Sequence, residues 1–294
     1  MRTAFLGTGL MGAHQARRLL KAGHTVCAWN RSIDKARALV ADGATVAATP
    51  AEAVAQAEVV FVMLENGDVV QQVLFDSGAA QALARTQPGA VVVDTSSIKP
   101  AQARQHALQL HALGLQHVDA PVSGGVSAAE AGSLAIMAGG DEAVFDRVQP
   151  LLSAMGRATH VGPSGAGQLA KLANQMIVAV NIAAVAEALQ MAAAGGADPA
   201  KVRDAIRGGF AESRVLELHG QRMVDGDFTL RARSTMQLKD LRNAQEVALD
   251  TGFTAPTVNI VTTLFEDLVA REGEIDHSGL WRQIAHINAP ATPP

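Results

Sequence analysis

Short β-rich runs alternate with helical patterns through the first half of the chain and then stop. The runs are Thr3–Leu6, Thr25–Trp29, Glu58–Leu64, Ala90–Asp94, Leu115–Asp119, Leu134–Ala138 and Thr159–Val161. Helix starts are legible between them. Ser32 can cap Ile33–Asp42, Pro50 and Pro100 stand where a first turn begins, and Asp141 can cap the segment to Met155. Such alternation predicts an α/β domain with a mostly parallel, doubly wound sheet and helices on both faces.

No β-rich run follows Gly162. Residues 168–194 form one helical pattern, apolar almost all round, which predicts a long helix buried on every side. Asn181, Glu187 and Gln190 interrupt it, which argues against a membrane span. Asp198-Pro199 opens the next helix, Gly208-Gly209 closes it, and further helices run near Thr235–Thr251 and Pro256–Arg271. The expected layout is a nucleotide domain over residues 1–163 and an all-α substrate and dimerisation domain over 164–294, joined by the long helix. The tail, 288–294, reads as frayed.

The opening glycines fit this layout. Gly7-x-Gly9-x-x-Gly12 follows the first β-rich run and precedes an amphipathic helix. In that context Gly7 makes the tight turn, Gly9 admits a pyrophosphate and Gly12 lets helix and strand pack closely. The turn, with Thr8, Leu10 and Met11, then faces the phosphates at a helix N-terminus. This predicts a Rossmann dinucleotide site. An NAD-preferring site would end its second strand in Asp or Glu. Here Asn30, Arg31 and Ser32 occupy that place, offering a guanidinium and a hydroxyl to a 2′-phosphate. NADP is therefore the expected cofactor, with NAD possible; the same residues could also be an ordinary solvated turn.

Composition narrows the remaining classes. Hydrophobic residues make up 48% of the 294, and charged residues 18%, as in a globular chain. The net charge is −4 with no basic block, so nucleic acid is not an expected partner. The single cysteine, Cys27, lies in an apolar run, reads as a small core residue and suits a reducing cytoplasm. Gly7, Gly9, Gly12 and His14 interrupt any signal-peptide core, and no membrane association is expected. The nine histidines show no HxxxH spacing, so no metal is expected.

Three further stretches carry chemistry. In "DAPVSGGVSAAEAGSLAIMAGG", a strand end opens into Ser123-Gly124-Gly125, where a hydroxyl and backbone N–H groups could meet an anion; it could equally be a flexible loop. In "GPSGAGQLAKLANQ", Lys171 falls in the first turns of the long helix. The helix dipole and the apolar surroundings disfavour an ammonium there, as a proton-transferring group near neutral pH requires. The alternative is a lysine that snorkels to solvent. Asn174 and Gln175, three and four positions on, can share its face. The third is "KDL", beginning at Lys239, with "DHS" from Asp276; alone these read as a surface helix and a helix cap.

"FLGTGLMG", "DAPVSGG", the "GxxGxGxxxK" segment and the late "KDL" occur in the order shown by the β-hydroxyacid dehydrogenase family, which the whole chain resembles. "KLANQMIVAVNIAAVAEAL", "IRGGFAESRVLELHG" and "DHS" resemble the branch acting on tartronate semialdehyde. Many members carry Asn four residues after the lysine, where this chain has Gln175. The resemblance implies NADP(H)-dependent reduction of a small carboxylate-bearing semialdehyde to a hydroxy acid. Ser123, Gly124 and Gly125 would hold the carboxylate, Lys171 would transfer the proton, and Asn174 or Gln175 would orient the hydroxyl. Met63, Leu64 and Ser96 would line the cofactor, and Lys239 would reach it from the helical domain. An interdomain cleft and a homodimer or homotetramer are also implied. 3-Hydroxyisobutyrate, succinate semialdehyde and glyoxylate remain rival substrates, and a non-catalytic NADP-sensing protein is the rival of another class.

Overall fold

The computed structural model describes residues 1–289, so the reading of the tail over 290–294 lies outside the described residues. The chain divides into two compact units, Met1–Lys171 and the remainder from Leu172.

The first unit holds strands β1 (Arg2–Leu6), β2 (Thr25–Trp29), β3 (Thr45–Val46), β4 (Val59–Val62), β5 (Val91–Asp94), β6 (Gln116–Asp119), β7 (Val122–Ser123), β8 (Leu134–Gly140) and β9 (Gly156–Gly162). They form one sheet in the order β3-β2-β1-β4-β5-β6-β8-β7, with β9 paired to β8. The strands from β3 to β6 run parallel. β8 is antiparallel to β6 and β7, so the sheet finishes in a mixed edge. The reason is chain length. A parallel return needs a crossover of about a dozen residues or more, and only the short Gly125–Ala131 helix separates β7 from β8.

Successive residues of the central strands serve opposite faces, as a pleated strand requires. Phe5, Val59, Phe61, Val91 and Val93 enter one apolar core. Ala4, Leu6, Val60, Val62 and Val92 enter the other. The Phe5 and Phe61 rings stack with centroids 5.9 Å apart. Helices cover both faces, with Asp141 capping Glu142–Met155 by accepting from the Val144 amide. The helix expected after Ser32 is shorter than its pattern. It spans Ile33–Arg37, a 3-10 turn follows at Val40–Asp42, and Ser32 makes no side-chain cap bond. The break lets Leu39 turn fully into the core.

In the second unit the rest of the long helix, Ala166–Ala194, is followed by Pro199–Ile206, Arg214–Asp225, Ser234–Thr251, Pro256–Glu272 and Leu280–Ile287. Asp198 and Ser213 cap their helices through side-chain oxygens. Ile182, Ala186, Leu241, Phe265 and Leu280 form the centre of this unit. The long helix departs from expectation on one side. Ala179, Ile182, Ala186 and Leu189 are buried, but Leu169, Ile177 and Met191 are 41%, 63% and 74% exposed. An apolar surface sets what a helix can bury; it does not oblige the same chain to supply the cover. By length and composition this helix could also cross a membrane.

Candidate active site

The glycine turn is built around contacts that a side chain would break. Gly7 has φ +101°, and a Cβ there would collide with the Met63 carbonyl. A Cβ at Gly12 would collide with the Gly7 carbonyl, whereas Gly9 faces open space. The Thr8 amide donates to Asn30 Oδ1 at 3.1 Å, and Asn30 Nδ2 donates to the Ser32 carbonyl at 3.1 Å. Asn30 therefore ties the end of β2 to the turn, while Arg31 and Ser32 are exposed. Thr8 Oγ1 is buried with no hydrogen-bond partner among the described residues. An orphaned hydroxyl beside an open glycine, at the start of the Leu10–Lys21 helix, fits a dinucleotide phosphate.

Leu10 is exposed and Met11 half-buried at the start of that helix. Met63 and Leu64, beyond β4, are half-buried, and Ser96 is fully buried. Ser96 Oγ accepts from the Leu64 amide at 2.9 Å, so Ser96 braces the loop that carries Met63 and Leu64.

The second constellation gathers where β6 ends. The chain leaves Asp119 for β7 and turns through Gly124 (φ +137°) and Gly125 (φ +69°), placing the half-buried Ser123 before the Gly125–Ala131 helix. A Cβ at Gly124 would press on Ala128. Lys171, six residues into the long helix, donates from Nζ to the Val122 carbonyl at 3.0 Å. The lysine and the Ser123 loop, more than forty residues apart in sequence, are thus one cluster.

Asp119 lies beneath that cluster. Its Oδ1 accepts from the Gly165 amide at 2.7 Å and its Oδ2 from the Gln168 amide at 2.9 Å. Burial pushes this carboxyl up to about 7, against the downward pull of those two amides. Asp94, its in-register neighbour on β5, is likewise pushed up by burial, to about 6. Gln168 is also fully buried; its Oε1 accepts from the Ile98 amide at 3.0 Å and its Nε2 donates to the Ser96 carbonyl at 2.9 Å. In the sequence Asp119 is marked only as an acid at a strand end, shortly before a glycine-rich helix start.

In the second unit Gln175 Nε2 donates to Asp240 Oδ2 at 2.8 Å, and Asn174 Nδ2 donates to Gln175 Oε1 at 2.9 Å. Gln237 Nε2 donates to the Gln175 carbonyl at 3.0 Å. Lys239 pairs with the other oxygen of the buried Asp240 at 3.1 Å. In "KDL" the aspartate is the residue that holds Gln175, a pairing across 65 residues that no local motif announces.

"DHS" forms a separate knot. Asp276 accepts from the amide and hydroxyl of Ser278 and from the amides of Arg231 and Ala232. His219, Asp276 and His277 lie close enough to suggest a metal site. The hydrogen bonds oppose that use. Arg222 can only donate, so His219 Nδ1 accepts from it at 3.2 Å. His219 Nε2 faces His277 Nε2 at 3.2 Å, so both ring nitrogens of His219 already have partners within the knot. Burial pushes His219 down to about 3, in keeping with a neutral ring.

A glycine turn that fits a dinucleotide, and a lysine bonded beside a serine–glycine loop, are parts that a nicotinamide-dependent oxidoreductase needs. Residues 2–162 match the family model described as the NAD binding domain of 6-phosphogluconate dehydrogenase. Residues 165–284 match the NAD-binding domain of NADP-dependent 3-hydroxyisobutyrate dehydrogenase. The chain is 40% identical to 2-hydroxy-3-oxopropionate reductase of Escherichia coli K12 over 283 residues, 95% of this chain and 96% of that one. A solved 3-hydroxyisobutyrate dehydrogenase of Mycobacterium tuberculosis with L-serine superposes with a TM-score of 0.88 at 32% identity, covering 98% of this chain and 99% of that one. Psf3 in complex with NADP+ and 2-OPP gives 0.85 at 27% identity, covering 95% and 99%. The chain belongs to the β-hydroxyacid dehydrogenase family related to 3-hydroxyisobutyrate dehydrogenase, oxidoreductases that act on CH–OH groups with NAD(P).

Proposed function

We propose that this dehydrogenase reduces a small carboxylate-bearing semialdehyde with NADPH, its substrate being 2-hydroxy-3-oxopropionate (tartronate semialdehyde) and its product D-glycerate. The observation that carries the reading is the 3.0 Å bond from Lys171 to Val122, which sets the lysine beside Ser123. The 40% identity to a 2-hydroxy-3-oxopropionate reductase over nearly the full chain supports the substrate. The serine hydroxyl and the glycine N–H groups of residues 123–125 receive the carboxylate. Lys171 gives a proton to the aldehyde oxygen, and in the reverse direction takes it from the hydroxyl. NADPH, when bound, supplies the hydride. Gln175 is turned toward Asp240, which favours Asn174 as the amide that orients the hydroxyl. Met63 and Leu64 line the coenzyme, Arg31 meets its 2′-phosphate, and Lys239 reaches it. Residues 1–163 hold most of the coenzyme and, through 123–125, the substrate carboxylate; 164–294 supply Lys171, the orienting amide and self-association, as a homodimer or homotetramer.

The likeness to a 3-hydroxyisobutyrate dehydrogenase supports a second reading, in which a methyl replaces the C2 hydroxyl of the substrate. Steady-state kcat/KM with NADPH on tartronate, methylmalonate and succinate semialdehydes and on glyoxylate separates the two. A preference for tartronate semialdehyde supports the first; a preference for methylmalonate semialdehyde replaces it with the second.

A further inference from the structure

The long helix is tethered to the sheet before it reaches Lys171. Its N-terminal amides at Gly165 and Gln168 go to the two oxygens of one fully buried carboxylate, Asp119, at 2.7 and 2.9 Å. The fit leaves no slack. A Cβ at Gly139 would come within 2.8 Å of Asp119 Oδ1 and 2.6 Å of the Gly167 amide nitrogen. A Cβ at Gly167 would collide with the Met137 carbonyl and stand 2.8 Å from Asp119 Oδ2. Backbone thus meets backbone around the acid.

One helical turn further on, Lys171 is tied to the same strand exit through the Val122 carbonyl. Residues 168 and 171 share a helix face, about 4.5 Å apart along the axis. The segment 119–122 is therefore clamped to the helix at both ends, and Ser123 follows directly. A serine or an amide at this strand end offers a single acceptor oxygen. The carboxylate offers two, one for each amide, and so fixes the rotation of the helix as well as its height. Gln168, bound to Ser96 and Ile98, repeats the restraint from the segment that follows β5.

We infer that Asp119 is a positioning residue for the reaction: it sets the helix so that Lys171 and the Ser123 loop keep one fixed geometry. The inference rests on Lys171 being the proton-transferring group. Asp119 does not touch substrate in this scheme; it acts through the helix.

The test is a double-mutant cycle with tartronate semialdehyde and NADPH. Misplacing a catalytic group by about 1 Å can cost about 10²-fold, so Asp119→Asn is expected to lower kcat by about that factor. The replacement puts an amide NH2 against a backbone N–H. NADPH affinity should stay within about twofold and substrate KM should change far less than kcat. Asp119→Asn in the Lys171→Ala background should cost little more than Lys171→Ala alone, because both act through one group. Asp119→Glu keeps the charge but adds a methylene to a site without slack, so it should shift the helix as well and recover little of the rate.

Independent, multiplying losses would overturn the inference, as would full kcat in Asp119→Asn. If Lys171→Ala itself keeps kcat, the proton-transfer reading fails instead, and the anchor is then judged by amide exchange. That measurement, made on the unaltered chain, also decides the matter if Asp119→Asn does not fold. The Gly165 and Gln168 amides should exchange slowly; free exchange of either would remove the anchor.

Discussion

Lys171 Nζ donates to the carbonyl of Val122 at 3.0 Å, one residue before Ser123. A proton-transferring lysine held there predicts a particular pattern of loss. Lys171→Ala should keep NADPH affinity, since the glycine turn is elsewhere, and lose roughly 10² to 10⁴ in kcat. Lys171→Arg should do little better, because a guanidinium stays protonated and cannot take the alcohol proton. If the lysine only held substrate by charge, KM would rise and arginine would rescue. Measuring kcat and KM for both variants separates these outcomes.

Ser123 stands at the mouth of two positive-φ glycines. Ser123→Ala should mainly raise KM for the acid substrate. An analogue without the carboxylate should be poor with the parent enzyme and little changed by the substitution. Identical behaviour of parent and variant toward acid and non-acid substrates would leave the loop a purely structural role.

Arg31 is exposed beside the Asn30 that binds the Thr8 amide. Arg31→Ala should weaken NADPH selectively, by roughly 1–3 kcal/mol, as for loss of a charge-assisted hydrogen bond. NADH kinetics on the same variant serve as the control. An equal loss with both coenzymes would sink the 2′-phosphate role.

His117 is fully buried, with neither ring nitrogen hydrogen-bonded among the described residues, and burial pushes it down to about 3. In the unfolded chain it titrates near 6.5. Below that value the unfolded chain takes the proton first, so the stability present above 6.5 is lost as pH falls toward 3. By pH 5 the loss reaches about 2 kcal/mol. Asp94 and Asp119 act in the opposite sense. Their raised carboxyls contribute stability at low pH that is lost as pH rises through about 6 and 7. The difference between wild-type and His117→Leu melting curves therefore isolates the histidine. That difference should change between pH 7 and pH 5, in favour of the variant at the acid end.

Ala183 is 5% exposed and Ile177 63% exposed on the same helix. Ala183→Lys should cost several kcal/mol, the usual penalty for an unpaired charge in a core. Ile177→Lys should leave unfolding of the single chain nearly unchanged. Denaturant melts of the two variants, with molecular mass followed by light scattering, check both expectations.

Much of this was legible in the chain, and the reasons are local. β2 was read to the residue, because Thr25–Trp29 is a β-rich run between a helix end and a turn. β3 and β7 were not, because two residues leave no periodicity to detect. Asp141 and Asp198 announced their helices, whereas Ser32 occupies a cap position without making the bond. The glycine turn was visible because three glycines at fixed spacing do one job. The Asp119 clamp was not, because its partners, Gly139, Gly165 and Gln168, are scattered and gain meaning only when brought together. The solvent-facing side of the long helix was hidden for a different reason: Leu169, Ile177 and Met191 read as core wherever they occur.

The boundary between the two compact units falls between Lys171 and Leu172, inside an unbroken helix. This constrains recombination with relatives. A crossover placed where the strands stop, near Gly162, would take the lysine and the Gly165–Gln168 anchor from one parent, and Asp119 with the Ser123 loop from the other. Chimeras joined there should inherit mismatched halves of a single device. Joins made beyond Lys171 would carry anchor, loop and lysine together as one heritable block.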